Sequence, residues 1–163
     1  MPDHPVYPFI PKSTSYIEPG HFWSIPLSGG GYACGRVIQL WVKDGKRDQR
    51  GFLAGLMDWS GDEPPTADAI VGRRVVEQGR VHVKTIGENG GEIVGFRGLA
   101  LDAIEPNLFR DAECATFVQF GLDRLRQFDR ALDSDLPVFS TWGFGVIRIL
   151  AEKHFGRTRQ SAV

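Results

Sequence analysis

The sequence is poor in the residues and motifs that usually identify a chemistry. Its 163 residues include two cysteines, which form no CxxC pair, and four scattered histidines. No apolar stretch approaches the roughly 20 residues that a membrane-spanning helix needs. The formal net charge is only -1. This balance is not typical of a general nucleic-acid binder, which usually carries a basic excess.

Signatures of catalysis, phosphate binding and metal binding are also missing. The glycines at 29–31 lack both the GxGxxG spacing of a dinucleotide loop and the Lys-Ser/Thr of a P-loop, and no GxSxG elbow occurs. His21 and Cys34 could approach each other across a hairpin, but a structural zinc site takes four ligands. We therefore predict no catalytic residue, no cofactor and no metal.

Pairs of carboxylates occur at short spacing, namely Asp58 with Asp62 and Asp102 with Glu105. General acid–base catalysis requires such groups to converge in space, which spacing alone does not establish. We interpret both pairs as solvated surface. A hydrolase whose site is assembled from scattered residues remains an alternative hypothesis.

The two thiols and the N-terminus favour a reducing compartment. We predict that Cys34 and Cys114 are free and largely buried, Cys34 in a strand and Cys114 on the apolar face of a helix. The first residues contain four prolines and no apolar core of a signal peptide. We therefore expect a single cytoplasmic domain over residues 1–163.

Residues 19–38 predict a β-hairpin, the clearest structural signal in the chain. Trp23, Ile25 and Leu27 alternate onto one face of an extended segment, and Ser-Gly-Gly-Gly at 28–31 supplies residues that tolerate positive φ. The return strand over 32–42 is rich in β-branched and aromatic residues. Further strands are predicted over 51–59, 80–86 and 92–97, with Glu-Asn-Gly-Gly at 88–91 as a hairpin turn and a short strand at 100–104.

After residue 111 the apolar spacing changes to three and four residues, which predicts an amphipathic helix over 111–133. A second helix is predicted over 144–155, ended by Gly156. Because strands precede helices, we predict an α+β fold: an antiparallel, partly barrel-like sheet of five to six strands within 18–108, then two C-terminal helices within 109–156. Residues 157–163 are expected to be a frayed tail.

Residues 1–17 predict an irregular, proline-rich arm. Two interpretations are open. The arm either packs on its own domain through Tyr7, Phe9 and Ile10, or serves as a polyproline ligand for another domain.

One loop concentrates acids around a tryptophan on a proline-stiffened segment. Its candidate partner-binding residues are Asp58, Trp59, Asp62, Glu63 and Asp68. An aromatic residue among charges is typical of an interaction hot spot. The alternative is that Trp59 closes the core at the end of a strand while the acids are merely solvated.

A small basic stripe, Arg80, His82 and Lys84, alternates with Val81 and Val83 along a half-buried strand. With Arg73 and Arg74 upstream, it could contact phosphate. Charged residues on surface strands also deter edge-to-edge pairing, and we favour that interpretation. The stripe nevertheless supports the alternative of a small barrel-like module that binds nucleic acid or a peptide.

Residues 18–27 (EPGHFWSIPL) and 31–38 (GYACGRVI) resemble the G-D-x-F-x-I-P-L opening and the G-x-Y-G-x-G-R-V strand of the Imm26 family, immunity proteins of bacterial polymorphic toxin systems. The resemblance covers about residues 18–108, and the Trp-Gly-Phe-Gly at 142–145 is compatible with it. This chain has His21 where an acid is common. The resemblance implies a cytoplasmic, non-enzymatic protein that binds and neutralises a cognate toxin, and the family defines no catalytic residues.

Overall fold

The computed structural model describes residues 5–156. Residues 1–4 of the predicted arm and the predicted tail at 157–163 lie outside the described residues. The eight strands within this range are β1 (His21–Pro26), β2 (Tyr32–Lys43), β3 (Lys46–Gly61), β4 (Val75–His82), β5 (Ile93–Phe96), β6 (Leu108–Arg110), β7 (Phe117–Phe120) and β8 (Asp123–Gln127). The helices are α1 (Thr85–Glu88), α2 (Arg130–Asp133) and α3 (Val146–Phe155), with 3₁₀ turns at Thr14–Tyr16 and Leu99–Asp102.

A five-stranded antiparallel sheet with the order β4-β3-β2-β1-β5 forms the centre of the fold. The predicted first hairpin is confirmed, with Phe22 opposite Arg36 and Pro26 opposite Tyr32. The predicted strand at 51–59 lies within β3, which is central in the sheet because it pairs with both β2 and β4. The antiparallel α+β class is therefore shown. The strand order is open within residues 5–156, so it gives no support to the partly barrel-like curvature that we predicted.

The predicted helix over 111–133 is wrong. The segment instead contains β7, β8 and the short α2, and β6-β7-β8 form a second, three-stranded antiparallel sheet. Gly121 makes the β7–β8 turn with a φ of 59°. Upstream, the Asp111 carboxylate accepts hydrogen bonds from the backbone N–H of Thr116 (2.9 Å) and of Phe117 (3.2 Å). These side chain–backbone bonds hold a turn where the helix was expected.

Three smaller predictions also need correction. The segment at 88–91 is not a hairpin turn, because β4 ends at His82, α1 follows it through Glu88, and β4 and β5 lie at opposite edges of the sheet. The strand β5 is present as expected, but it pairs with β1. Residues 99–102 form a 3₁₀ turn where a short strand was predicted. The last helix, α3, is confirmed, and the N–H of Gly156 donates to the carbonyl of Glu152 at its end.

Both faces of the main sheet are buried. One face packs against α3 and Phe9 of the N-terminal arm, with Trp23, Phe52 and Ile147 in its core. The other face packs against the second sheet and the β3–β4 loop, with Leu53 and Phe109 in its core. This burial on two sides explains the continuous apolar run in β3, because successive residues point to opposite cores.

The two thiols are free, but only one of them is buried. Cys34 lies in β2 with no exposed surface, as predicted. Cys114 is exposed, and our prediction that it lies on the buried face of a helix is wrong because no helix forms there. None of the helices among residues 5–156 has the length and apolar character that a membrane crossing requires.

Candidate partner-binding surface

The candidate residues lie at the end of β3 and in the loop that joins it to β4. Asp58 and Trp59 belong to the last residues of β3, and Asp62, Glu63 and Asp68 follow in the loop. The Trp59 side chain is half-buried and packs against the core cluster that contains Ile70 and Met57. This packing favours the interpretation that Trp59 closes the core.

Backbone hydrogen bonds and buried side chains hold the loop in one conformation. Pro65 is buried and Ile70 has no exposed surface. The N–H of Ala69 donates to the Thr66 hydroxyl at 3.2 Å, and the N–H of Asp58 donates to the carbonyl of Arg74 at 2.8 Å. The loop is therefore tied to the core along its length, and a surface held in this way loses less conformational entropy on binding than a loose one.

The acidic side chains lie at the protein surface. Asp58 is 3.4 Å from Arg74, with side chains 45% and 80% exposed respectively. Asp62, Glu63 and Asp68 are all exposed. Exposed ion pairs contribute about 0–1 kcal/mol to stability, so these acids can serve recognition with little consequence for folding.

A buried carboxylate, Asp102, connects the β3–β4 loop to the rest of the domain. Its side chain has no exposed surface, which contradicts our interpretation of Asp102 as solvated. Its two oxygens accept hydrogen bonds from Nε and Nη2 of Arg97, both at 2.8 Å, and Oδ1 also accepts from the N–H of Gly72 at 2.8 Å. The bonds from Arg97, followed by the bond from Gly72, lower the pKa of Asp102 to about 2. Asp102 is therefore a fixed anion that joins the loop to the domain.

Arg36 connects this anchor to the centre of the main sheet. The Arg36 side chain on β2 is fully buried, with Nη1 3.5 Å from Asp102 Oδ2. Its Nη2 donates to the carbonyl of Arg97 at 2.5 Å, while its Nε has no hydrogen-bond partner among residues 5–156. Sequence reasoning missed this network. The sequence does contain a signal for it, namely an arginine between Gly35 and Val37 in an otherwise apolar strand. A guanidinium buried there needs an acidic partner.

Arg80 and His82 of the predicted basic stripe line one cleft with Asp48, so the stripe is partly neutralised. Arg80 pairs with Asp48 at 3.2 Å, whereas the His82 ring contacts the Phe144 ring at 5.7 Å between centroids. Lys84 is exposed beyond the end of β4. The upstream Arg73 and Arg74 lie before the first residue of β4, where Arg74 pairs with Asp58.

The two potential metal ligands are also apart. Cys34 lies opposite Ser24 in the first hairpin, while His21 is buried and its Nδ1 accepts from the N–H of Glu18 at 2.8 Å. Burial is the main cause that lowers the pKa of His21. Within residues 5–156 no three His, Cys, Asp or Glu side chains cluster in a way that could hold a metal ion.

Comparison with known proteins adds no neighbour to these observations. Searches against family models, curated proteins and solved structures give no significant match for this chain.

Proposed function

We propose that this chain is an immunity protein of the cytoplasm, which binds and neutralises a cognate bacterial toxin domain by protein–protein contact. The observation that carries the proposal is the construction of the β3–β4 loop. Asp62, Glu63 and Asp68 are exposed on a loop that Asp102 and the buried Ile70 hold in place. The similarity of residues 18–38 to immunity proteins supports the same function.

The negative charge of the β3–β4 loop indicates the kind of partner that it would bind. An ordered acidic loop complements the basic site with which a nuclease toxin holds nucleic acid, and complementary charge speeds encounter and opposes wrong partners. In this proposal the chain acts by occupying the site of the toxin, with no catalytic residue and no cofactor of its own. Trp59 supports the loop from the core side and contributes to binding indirectly.

Co-expression with the products of the adjacent genes tests the function. We expect one of these products to be toxic alone, to be tolerated when this chain is present, and to co-purify with it. A toxic neighbour that this chain neither binds nor neutralises would contradict the proposal. A variant with Asp62→Lys and Glu63→Lys tests the surface separately, since it should fold normally and yet lose protection.

A further inference from the structure

A cleft between the two sheets forms a second surface with different chemistry. Its volume is about 370 Å³. The main sheet contributes Trp41 and Lys43 from β2 and Arg80 from β4, and the second sheet contributes Phe117 and Arg124. Clefts that bind small molecules typically enclose about 300–1,000 Å³, so the space suits one ligand of modest size.

The cleft is independent of the acidic loop. Tyr32, at the start of β2, lies opposite Gly61, whereas Val42, near its end, lies opposite Arg47. Trp41 is therefore separated from the beginning of the acidic loop by nearly the whole strand, a distance of about 30 Å at roughly 3.3 Å per residue. A ligand in the cleft would leave the acidic loop uncovered.

Three cations converge on the aromatic walls of this cleft. The guanidinium carbon of Arg80 lies 4.8 Å from the Trp41 ring centroid, and Lys43 Nζ lies 5.9 Å from the same ring. The guanidinium carbon of Arg124 lies 4.7 Å from the Phe117 ring centroid. Such stacking fixes the direction of each cation and leaves its N–H groups able to donate to an anion.

The positive charge of the cleft is only partly compensated. Arg80 pairs with Asp48 at 3.2 Å, but neither Lys43 nor Arg124 forms an ion pair within the described part of the chain. The carboxylate that lines the cleft, Asp123, accepts a hydrogen bond from Gln39 at 3.1 Å. The cleft therefore retains cationic N–H donors for a ligand.

The aromatic walls of the cleft are partly exposed and pack against the protein core on their other side. Trp41, Phe117 and Phe139 are all half-buried. Trp41 and Phe139 pack against the core cluster of this side of the main sheet, and the Phe139 ring meets the Phe109 ring edge-on at 5.4 Å. Rings held in this way also hold the guanidinium groups that lie over them, and a planar ligand group can stack on a guanidinium plane with little loss of side-chain entropy.

We propose that this cleft binds a nucleoside phosphate. The base stacks on the Arg80 guanidinium, which itself lies over the Trp41 ring, and the phosphate accepts hydrogen bonds from Lys43 and Arg124. Inorganic phosphate would pair with the cations and leave the plane of the Arg80 guanidinium without a stacked group, whereas a nucleoside would leave Lys43 and Arg124 unpaired. A free nucleotide and the end of a single-stranded nucleic acid share this chemistry, because both offer a stackable base and a phosphate.

Calorimetric titration of the whole chain tests the site. The probes are AMP, ATP, adenosine, inorganic phosphate and a short single-stranded DNA. We expect saturable binding of the nucleotides, and affinities at least about tenfold lower for adenosine and for phosphate, each of which lacks one half of the recognised group. Tighter binding of DNA than of AMP would identify the strand as the source, and equal or weaker binding would identify the free nucleotide.

Charge-neutralising variants assign the contacts. Lys43→Gln and Arg124→Gln alter exposed side chains and should each weaken AMP binding about tenfold at an unchanged melting temperature. The matched control, Arg73→Gln, removes an exposed cation in the β3–β4 loop and should bind as the parent does. Failure of every nucleotide and of DNA to bind up to about 1 mM would overturn the proposal. Equal losses in all three variants would overturn it as well.

Discussion

At the scale of single residues, the buried pair of Arg36 and Asp102 distinguishes this domain most clearly from an ordinary apolar core. Both side chains have no exposed surface. A buried ion pair adds little folding stability relative to an apolar pair of similar shape. The loss of one partner is nevertheless costly, because the other charge then stays buried without compensation. Because Asp102 also binds Gly72 of the β3–β4 loop, the integrity of the pair and the position of the loop are linked.

Replacement of the buried Asp102 carboxylate should therefore destabilise the fold strongly. We expect Asp102→Asn to lower the free energy of unfolding by about 3–5 kcal/mol, since it removes the countercharge of Arg36 and Arg97. Denaturant unfolding followed by fluorescence measures the change. Asp58→Asn is the matched control, because Asp58 forms an exposed ion pair and should cost at most about 1 kcal/mol. Equal, small effects of both variants would show that Arg36 does not depend on Asp102.

The low pKa of Asp102 predicts how stability varies with acid. Its pKa lies at about 2 in the folded chain, below the ordinary value of 3.8. Between these values the unfolded state binds more protons than the folded state, so stability falls as the pH falls through this window. Asp133, whose pKa the Arg126 guanidinium also lowers to about 2, acts in the same direction. Melting temperatures measured from neutral pH to pH 2 should drop mainly below about pH 4, and a flat profile there would contradict the assignment.

The two thiols should react at very different rates. Cys114 is exposed, whereas Cys34 is fully buried and burial raises its pKa well above the usual range. Because the thiolate is the reactive form, a thiol reagent should modify Cys114 at once in the native protein and Cys34 only after unfolding. Cys114→Ser should abolish the fast phase. A fast phase that survives this substitution would show that β2 opens readily.

At the scale of elements, the segment 111–133 shows how an apolar spacing of three and four residues can mislead. The spacing placed Leu125 and Leu132 on a buried helical face, but they are 54% and 77% exposed. The local signals favoured a hairpin. Aromatic and β-branched residues at 116–118 suit a strand, and a glycine within a helix costs about 1 kcal/mol. Gly121 instead supplies the left-handed turn of that hairpin.

Gly121→Ala should test the hairpin directly. A Cβ at this position would lie 2.2 Å from Gln39 Oε1 and 2.7 Å from Pro106 Cβ, on a residue with a φ of 59°. We expect a loss of stability of about 1–3 kcal/mol from backbone strain and the clash together. Gly45→Ala is the control for strain alone, because Gly45 has a φ of 75° and a Cβ added there would meet no atom within 4 Å. Thermal or denaturant unfolding compares the two, and a smaller loss for Gly121→Ala would contradict the packing around this turn.

At the scale of the whole molecule, local patterns predicted the first hairpin and α3, but not the assembly around them. Trp23 and Ile25 alternate next to a glycine-rich turn, so the sequence indicates the β1–β2 pairing directly. The pairing of Phe22 with Gly95 joins residues far apart in the chain, and no local pattern specifies it. The acidic loop and the cleft between the two sheets also depend on contacts between distant parts of the chain. The acidic loop is visible as a run of acids, whereas its anchor at Asp102 and the cleft around Trp41 arise only when distant strands meet.

The association of the chain with its toxin partner, measured at low and high salt, tests the central claim most directly. The variant with Asp62→Lys and Glu63→Lys should keep the parent melting temperature, associate more slowly and lose the dependence on salt, because exposed charges act mainly on the rate of encounter. Glu113→Lys with Asp135→Lys reverses two exposed acids outside the loop and serves as the control, with binding like that of the parent. Unchanged, salt-sensitive association of the loop variant would contradict the assignment of the acidic loop as the binding surface.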